Sequence, residues 1–113
     1  ETPMQSTPIF SPTVIAAAAL AANRFVTFAG AVCGAGAKAF GVAQYAVAAG
    51  DAVAVNALGT TKVEAGGAIA VGGPIKSDAN GKAIAQGGSG EILGYAIEAA
   101  SGDGKIIEMF LTP

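Results

Sequence analysis

An all-β fold is predicted, a small antiparallel β-barrel or sandwich with an extended N-terminal arm. Three observations predict it: apolar residues alternate with period two, turn signals recur too closely for anything but short strands, and three prolines fall within the first twelve residues. The chain divides into an arm, 1–12, and a single β domain, 13–113.

The arm reads ETPMQSTPIFSP. Pro3, Pro8 and Pro12 fix their own φ, remove backbone donors and push the preceding residues toward extended conformations. Met4, Ile9 and Phe10 are its apolar side chains. They suit an arm that docks on a neighbour, whose partner-binding residues are Pro3, Met4, Pro8, Ile9, Phe10 and Pro12; the alternative is an untethered tail.

Val14 to Ala22 is apolar throughout, and its alanines suit a helix. Thr13, Val14 and Ile15 at its start favour a strand instead, running into a turn at Ala22-Asn23. Arg24 to Phe28 reads as a second strand, with Val26 and Phe28 on one face and Phe25 on the other. Gly30, Gly34 and Gly36 then make a flexible connection. From Phe40 the pattern is strand, turn, strand. Val53 and Val55 alternate with Ala52, Ala54 and Asn56, and after Leu58-Gly59 the run Thr60 to Glu64 alternates again, so these two stretches are expected to form a hairpin with one wet face. Turn signals follow at Gly66-Gly67, Gly72-Gly73-Pro74, Asn80-Gly81 and Gly87 to Gly90; Asn80-Gly81 is the strongest, as a two-residue I′ turn.

The most regular stretch comes last. Ile92 to Ile97 and Ile106 to Leu111 flank a Gly102-Asp103-Gly104 turn and should pair as strands at the spine of the sheet. A fainter copy lies earlier. Phe40-Gly41-Val42-Ala43 matches Leu93-Gly94-Tyr95-Ala96, and Ala48-Ala49-Gly50-Asp51 matches Ala100-Ser101-Gly102-Asp103, one residue out of phase between the two matches. Two copies are too few for a solenoid.

With 113 residues the chain fits one modest core. Much of its 52% hydrophobic content is alanine and only 6% of the chain is aromatic, so assembly is expected to supply part of the stability. The charged fraction, 12%, is about half the usual share, which leaves a small, neutral surface suited to close subunit packing. Net charge is −2 and the basic residues stand singly along the chain, at Arg24, Lys38, Lys62, Lys76, Lys82 and Lys105. That argues against nucleic acid, which needs a clustered basic face. No apolar run approaches the roughly 20 residues of a membrane span. Cys33 is the one cysteine and there is no histidine to activate it, so it is read as a small buried or half-buried thiol.

Three short motifs suggest chemistry and none sustains it. The stretch Gly34-Ala35-Gly36-Ala37-Lys38-Ala39-Phe40-Gly41 has Ala39 where a dinucleotide fingerprint needs its third glycine, and no βαβ context. Ser77-Asp78-Ala79-Asn80-Gly81 opens like a calcium loop, but Lys82 occupies a ligand position and no bidentate glutamate follows. In Gly102-Asp103-Gly104-Lys105, Ile106 replaces the hydroxyl residue of a phosphate loop. Glu98 and Glu108 are expected on strands, facing solvent. No enzyme, cofactor or metal is predicted.

The succession Gly50-Asp51-Ala52-Val53-Ala54-Val55, then Gly73-Pro74-Ile75-Lys76-Ser77-Asp78-Ala79-Asn80-Gly81-Lys82-Ala83, then Ile92 to Ala100 and a last strand, resembles the small capsid cement, or head decoration, proteins of tailed bacteriophages. The resemblance covers 24–111. It implies a structural virion protein made in the host cytoplasm, placed on the outer surface of the capsid as a homotrimer, with the major capsid protein as partner and neighbouring coat subunits clamped together. The alternative is a non-catalytic, β-rich carbohydrate-binding or adhesin module, for which Tyr45 and Tyr95 are the candidate stacking residues.

Overall fold

A computed structural model describes residues 8–112. These residues form ten strands and no helix: β1 (Pro8–Phe10), β2 (Thr13–Ile15), β3 (Phe25–Val26), β4 (Gly41–Ala43), β5 (Ala52–Asn56), β6 (Leu58–Glu64), β7 (Pro74–Ser77), β8 (Ala83–Ala85), β9 (Gly94–Ala96) and β10 (Ile106–Leu111). They make two antiparallel sheets. One has the order β1-β6-β10-β9-β7-β8 and the other β2-β5-β4-β3. The all-β expectation holds, as a sandwich rather than a closed barrel. The strand predicted at Ile106 to Leu111 is β10, and it pairs with β9 as expected.

The expected hairpin between 53–56 and 60–64 does not form. β5 pairs with β2 and β4, whereas β6 pairs with β1 and β10. Only Ala57 separates the two strands, too little for a two-residue reversal, and the chain passes from one sheet into the other. The Asn80-Gly81 turn is also not of type I′. Gly81 has φ +78° but Asn80 is not in the left-handed region; the reversal is closed instead by Asp78, whose amide donates to Lys82 O (2.8 Å) and whose Oδ1 accepts from the amides of Asn80 (2.8 Å) and Lys82 (2.9 Å). After β2 the alanine run stops being a strand. Ala16 and Leu20 turn inward, and the backbone amides of Ala16, Ala17 and Leu20 reach three separate partners, Asp51 O, Gly30 O and Val47 O.

The faint sequence repeat is the visible part of a structural duplication. The pairing of β2 with β5 (Thr13↔Ala54, Val14↔Val53, Ile15↔Ala52) recurs in β6 with β10 (Lys62↔Glu108, Val63↔Ile107, Glu64↔Ile106). Likewise β3 with β4 (Phe25↔Val42, Val26↔Gly41) recurs in β7 with β9 (Pro74↔Tyr95, Ile75↔Gly94), and β4 with β5 (Val42↔Asn56, Ala43↔Val55) in β9 with β10 (Tyr95↔Phe110, Ala96↔Met109). Loops repeat too. Ala16 exchanges backbone bonds with Gly50 and Asp51 as Ala65 does with Gly104 and Lys105, and Leu20 with Val47 as Ile69 with Ala100. Gly50 (φ +89°) therefore corresponds to Gly104 (φ +86°), not to Gly102 as the sequence match suggests.

Each unit has the same core. Ala16, Leu20, Val26, Ala43, Val53 and Val55 cluster in the first; Ala65, Ile69, Ile75, Ala96, Ile107 and Met109 take the equivalent places in the second. Three valines have become two isoleucines and a methionine, and each isoleucine adds one buried methylene, worth about 0.8 kcal/mol. The second unit is the more heavily packed.

The units are joined unequally. Phe25 and Val42 point out of the first unit's sheet, yet both are fully buried in one cluster with Val63, Ile75 and Leu111 of the second. Phe25 N donates to Gly81 O (2.7 Å) across the same boundary. Asn56, also buried, sits at the crossing between sheets. Its Nδ2 donates to Thr61 Oγ1 (2.7 Å), and its Oδ1 accepts from Gln44 Nε2 (2.6 Å) and Ser11 Oγ (3.0 Å). Polar groups buried at such a junction need partners, and these have them.

Candidate functional site

The predicted arm residues fall in three places. Pro3 and Met4 lie outside the described residues. Pro8, Ile9 and Phe10 make up β1, whose backbone pairs with the start of β6 at Gly59 and Leu58, so this part of the segment is an edge strand of the six-stranded sheet. Pro12 is half-buried between β1 and β2, and its carbonyl accepts from Val55 N (2.9 Å). Proline within a sheet is confined largely to edge strands such as β1.

The motifs set aside in the sequence have structural duties. In the loop before β4, Gly36 N donates to Ser77 O (2.9 Å) and Gly36 O accepts from Glu91 N (3.0 Å). Gly102 to Gly104 form a turn in which Gly104 N donates to Ala65 O (2.8 Å). Lys82 joins that turn to the second unit's edge. Its Nζ lies 2.9 Å from Asp103 Oδ1 and 3.5 Å from Glu64 Oε2, and Arg24 Nε lies 3.1 Å from Glu64 Oε1. The hydrogen bond it donates to Asp103 holds the Lys82 ammonium above its usual range. Among the described residues no three of His, Cys, Asp and Glu stand together as a metal site.

Glu108 corrects one expectation: it is buried on β10, not solvent-facing, and its amide donates to Glu98 Oε1 (2.8 Å) from the loop after β9. Cys33 is fully buried, as read from the sequence, with Sγ 3.4 Å from Ala37 O. Burial raises its thiol above the ordinary range, partly offset by the Ser77 hydroxyl. The candidate stacking residues are both exposed but do not share a platform. Tyr45 follows β4 in one sheet, with its hydroxyl accepting from Ala54 N (3.2 Å), and Tyr95 lies on β9 of the other.

Two surface features were not singled out in the sequence. The first is an apolar cavity of about 260 Å³ at the junction of the units, walled by Phe25, Phe40, Leu58, Leu93 and Leu111, with Lys38 also in its lining. Phe28 lines it as well, 63% exposed and stacked on Phe40 at 4.7 Å between ring centroids. The second is the outward face of the six-stranded sheet. There Tyr95 and Phe110 are cross-strand neighbours, 40% and 48% exposed, with Pro74 beyond Tyr95 and half-exposed Ile97 nearby. A signal for this face was available: the repeat aligns Tyr95 with Val42, a small residue replaced by a large aromatic one.

A family model described as phage cement protein matches residues 4–111. No curated protein matches the sequence. Among solved structures, the head fiber gp8.5 N base of bacteriophage phi29 aligns over 91% of this chain and 93% of that chain, with a TM-score of 0.76 and 24% sequence identity. That likeness is one of fold.

Proposed function

The chain belongs to the phage cement protein family, and from that premise we propose that it binds the outer surface of a tailed-phage capsid and stabilises the shell by clamping neighbouring coat subunits. A structural protein associated with the capsid is what the family describes; the outer surface, the coat contact and the clamp are our reading. The observation that carries it is the family match over nearly the whole chain. We assign it no enzymatic activity, a homotrimeric state, the major capsid protein as partner and synthesis in the host cytoplasm. The N-terminal segment, with Pro3, Met4, Pro8, Ile9, Phe10 and Pro12, contacts a neighbouring decoration subunit or the coat protein, as an extended chain carrying apolar side chains does when it lies along a partner.

A ligand that binds only the intact shell shifts disassembly by mass action, and many equivalent copies multiply a small contribution. Heads with and without this protein should therefore differ in resistance to heat or chelator. Identical melting at saturating occupancy contradicts the proposal.

A further inference from the structure

The apolar cavity at the junction of the units is lined by equivalent positions from both. Phe40 corresponds to Leu93, since Phe40 N donates to Val26 O as Leu93 N does to Ile75 O (both 2.8 Å), and Ala57 corresponds to Leu111, each following the equivalent pair Asn56 and Phe110. All four line the cavity. Where the second unit places a buried leucine, the first places only an alanine. Protein interiors leave few voids larger than a water molecule, so about 260 Å³ of apolar space beside the core is space that a longer side chain at position 57 would occupy. The lining carries a single charge. Lys38 is exposed and makes no ion pair among the described residues, whereas Arg24 and Lys82 are both paired. Leu58, also in the lining, is the β6 partner of Phe10, so the cavity adjoins the N-terminal segment assigned above to partner contact.

We infer that this cavity is the socket for a coat-protein segment presenting an aromatic side chain beside a carboxylate, the ring filling the void against Phe28 and Phe40 and the carboxylate pairing with Lys38. This rests on the capsid binding proposed above and names the chemistry of the contact. Size sets the first half of that chemistry. An apolar cavity of roughly 150 Å³ takes a benzene ring, so this one admits an aromatic side chain, and Phe28, stacked on Phe40 yet mostly exposed, offers it a second ring to pack on. Charge sets the second half. A lone lysine beside an apolar pocket attracts a segment with a carboxylate and repels a basic one, which gives the contact its selectivity. Aromatic anchors seated in pockets are also the residues that carry most of an interface's binding energy. Alanine at position 57 is then a place where binding is favoured over tighter packing.

The test has two arms, both on the full chain. In the first, phenylpropionate, a ring with a carboxylate, is titrated and followed by the NMR shifts of Phe28, Phe40 and Leu58, against phenylpropylammonium, the same frame with the opposite charge. Phenylpropionate should bind and the ammonium should not. Ala57→Leu, which fills the void, should raise Tm and abolish that binding, whereas Lys38→Gln should leave Tm unchanged and weaken it about 2- to 5-fold, the scale of an exposed ion pair. Thr112→Trp closes the same cavity from the end of the chain, which keeps the question answerable if Ala57→Leu fails to fold. In the second arm the variants are added to undecorated heads. Occupancy by the filled variants should weaken about 30-fold or more, the scale of losing one anchor residue, and Lys105→Gln should occupy heads like wild type. The inference is overturned if phenylpropionate does not bind, if the ammonium binds equally well, or if the filled variants retain the probe. Filled variants that lose the probe yet occupy heads like wild type overturn this inference alone and leave capsid binding standing. Wild type that occupies no heads overturns the capsid reading and this inference with it.

Discussion

Gly41 and Gly94 occupy the same position in the two units, and each is held glycine by the same collision. A Cβ on Gly41 would run into the backbone carbonyl of Asn56, and one on Gly94 into that of Phe110, the corresponding residue. Neither glycine has positive φ, so the constraint is contact between neighbouring strands and not backbone conformation. A carbonyl locked in a sheet cannot swing aside as a side chain can. Gly41→Ala and Gly94→Ala are each expected to destabilise by about 1–3 kcal/mol through overpacking, read as a lower denaturant midpoint. Gly34→Ala, where no atom stands near the added methyl, should change stability by less than about 0.5 kcal/mol.

The unequal joining of the units predicts unequal costs for equivalent-looking truncations. Phe25→Ala removes a fully buried ring from the junction and should cost about 3–5 kcal/mol. Phe110→Ala, on the open face, loses little more than a cross-strand contact and should cost about 1 kcal/mol or less when measured under monomeric conditions. Similar losses for the two would mean that the face of the second unit is not open.

Asn56 ties β6 to the first unit's sheet through Thr61, Gln44 and Ser11. Asn56→Ala deprives those groups of a shared partner within a buried site, and the expected loss is about 1–3 kcal/mol. Thermal unfolding of the variant checks it, and no loss would show that solvent replaces the amide without penalty.

Two groups contribute a pH dependence on the alkaline side. The Cys33 thiol is raised by burial and the Lys82 ammonium chiefly by its hydrogen bond to Asp103. A folded-state pKa above the unfolded value means that the contribution is fully present below the unfolded value and is lost as pH rises through the folded one. Stability should therefore hold through neutral pH and begin to fall above about 9, the ordinary thiol value, with Lys82 adding to the loss at higher pH. Cys33→Ser should alter the first part of that decline. Native Cys33 should also react slowly with iodoacetamide and quickly once the chain is unfolded, since the buried thiol supplies little thiolate.

Removing residues 1–7 keeps the pairing of β1 with β6 and isolates the segment before it. The shortened protein is expected to retain its circular dichroism spectrum and to occupy heads less fully. Undiminished occupancy would make the segment a tail.

By itself the sequence determined the class of fold and the class of function. Period-two alternation and closely spaced turn residues leave only short strands, and β6 runs where the alternation is cleanest, with Gly59, Thr61 and Val63 buried and Thr60 and Lys62 between them more exposed. The absence of histidine, the scattered lysines and the resemblance to cement proteins likewise stand on residue identities alone. Which strands pair was decided by tertiary structure. Nothing local distinguishes Ala52–Asn56 and Leu58–Glu64 as members of different sheets, because each would alternate just as well in a hairpin; the choice depends on what β2 and β10, distant in the chain, bring to their edges. The full duplication was hidden for the same reason, since most equivalent positions share a hydrogen-bond register and not a residue type. The same holds for exposure. Val42 and Tyr95 occupy one position of the repeat, and only the packing of the first unit on the second buries one and leaves the other open.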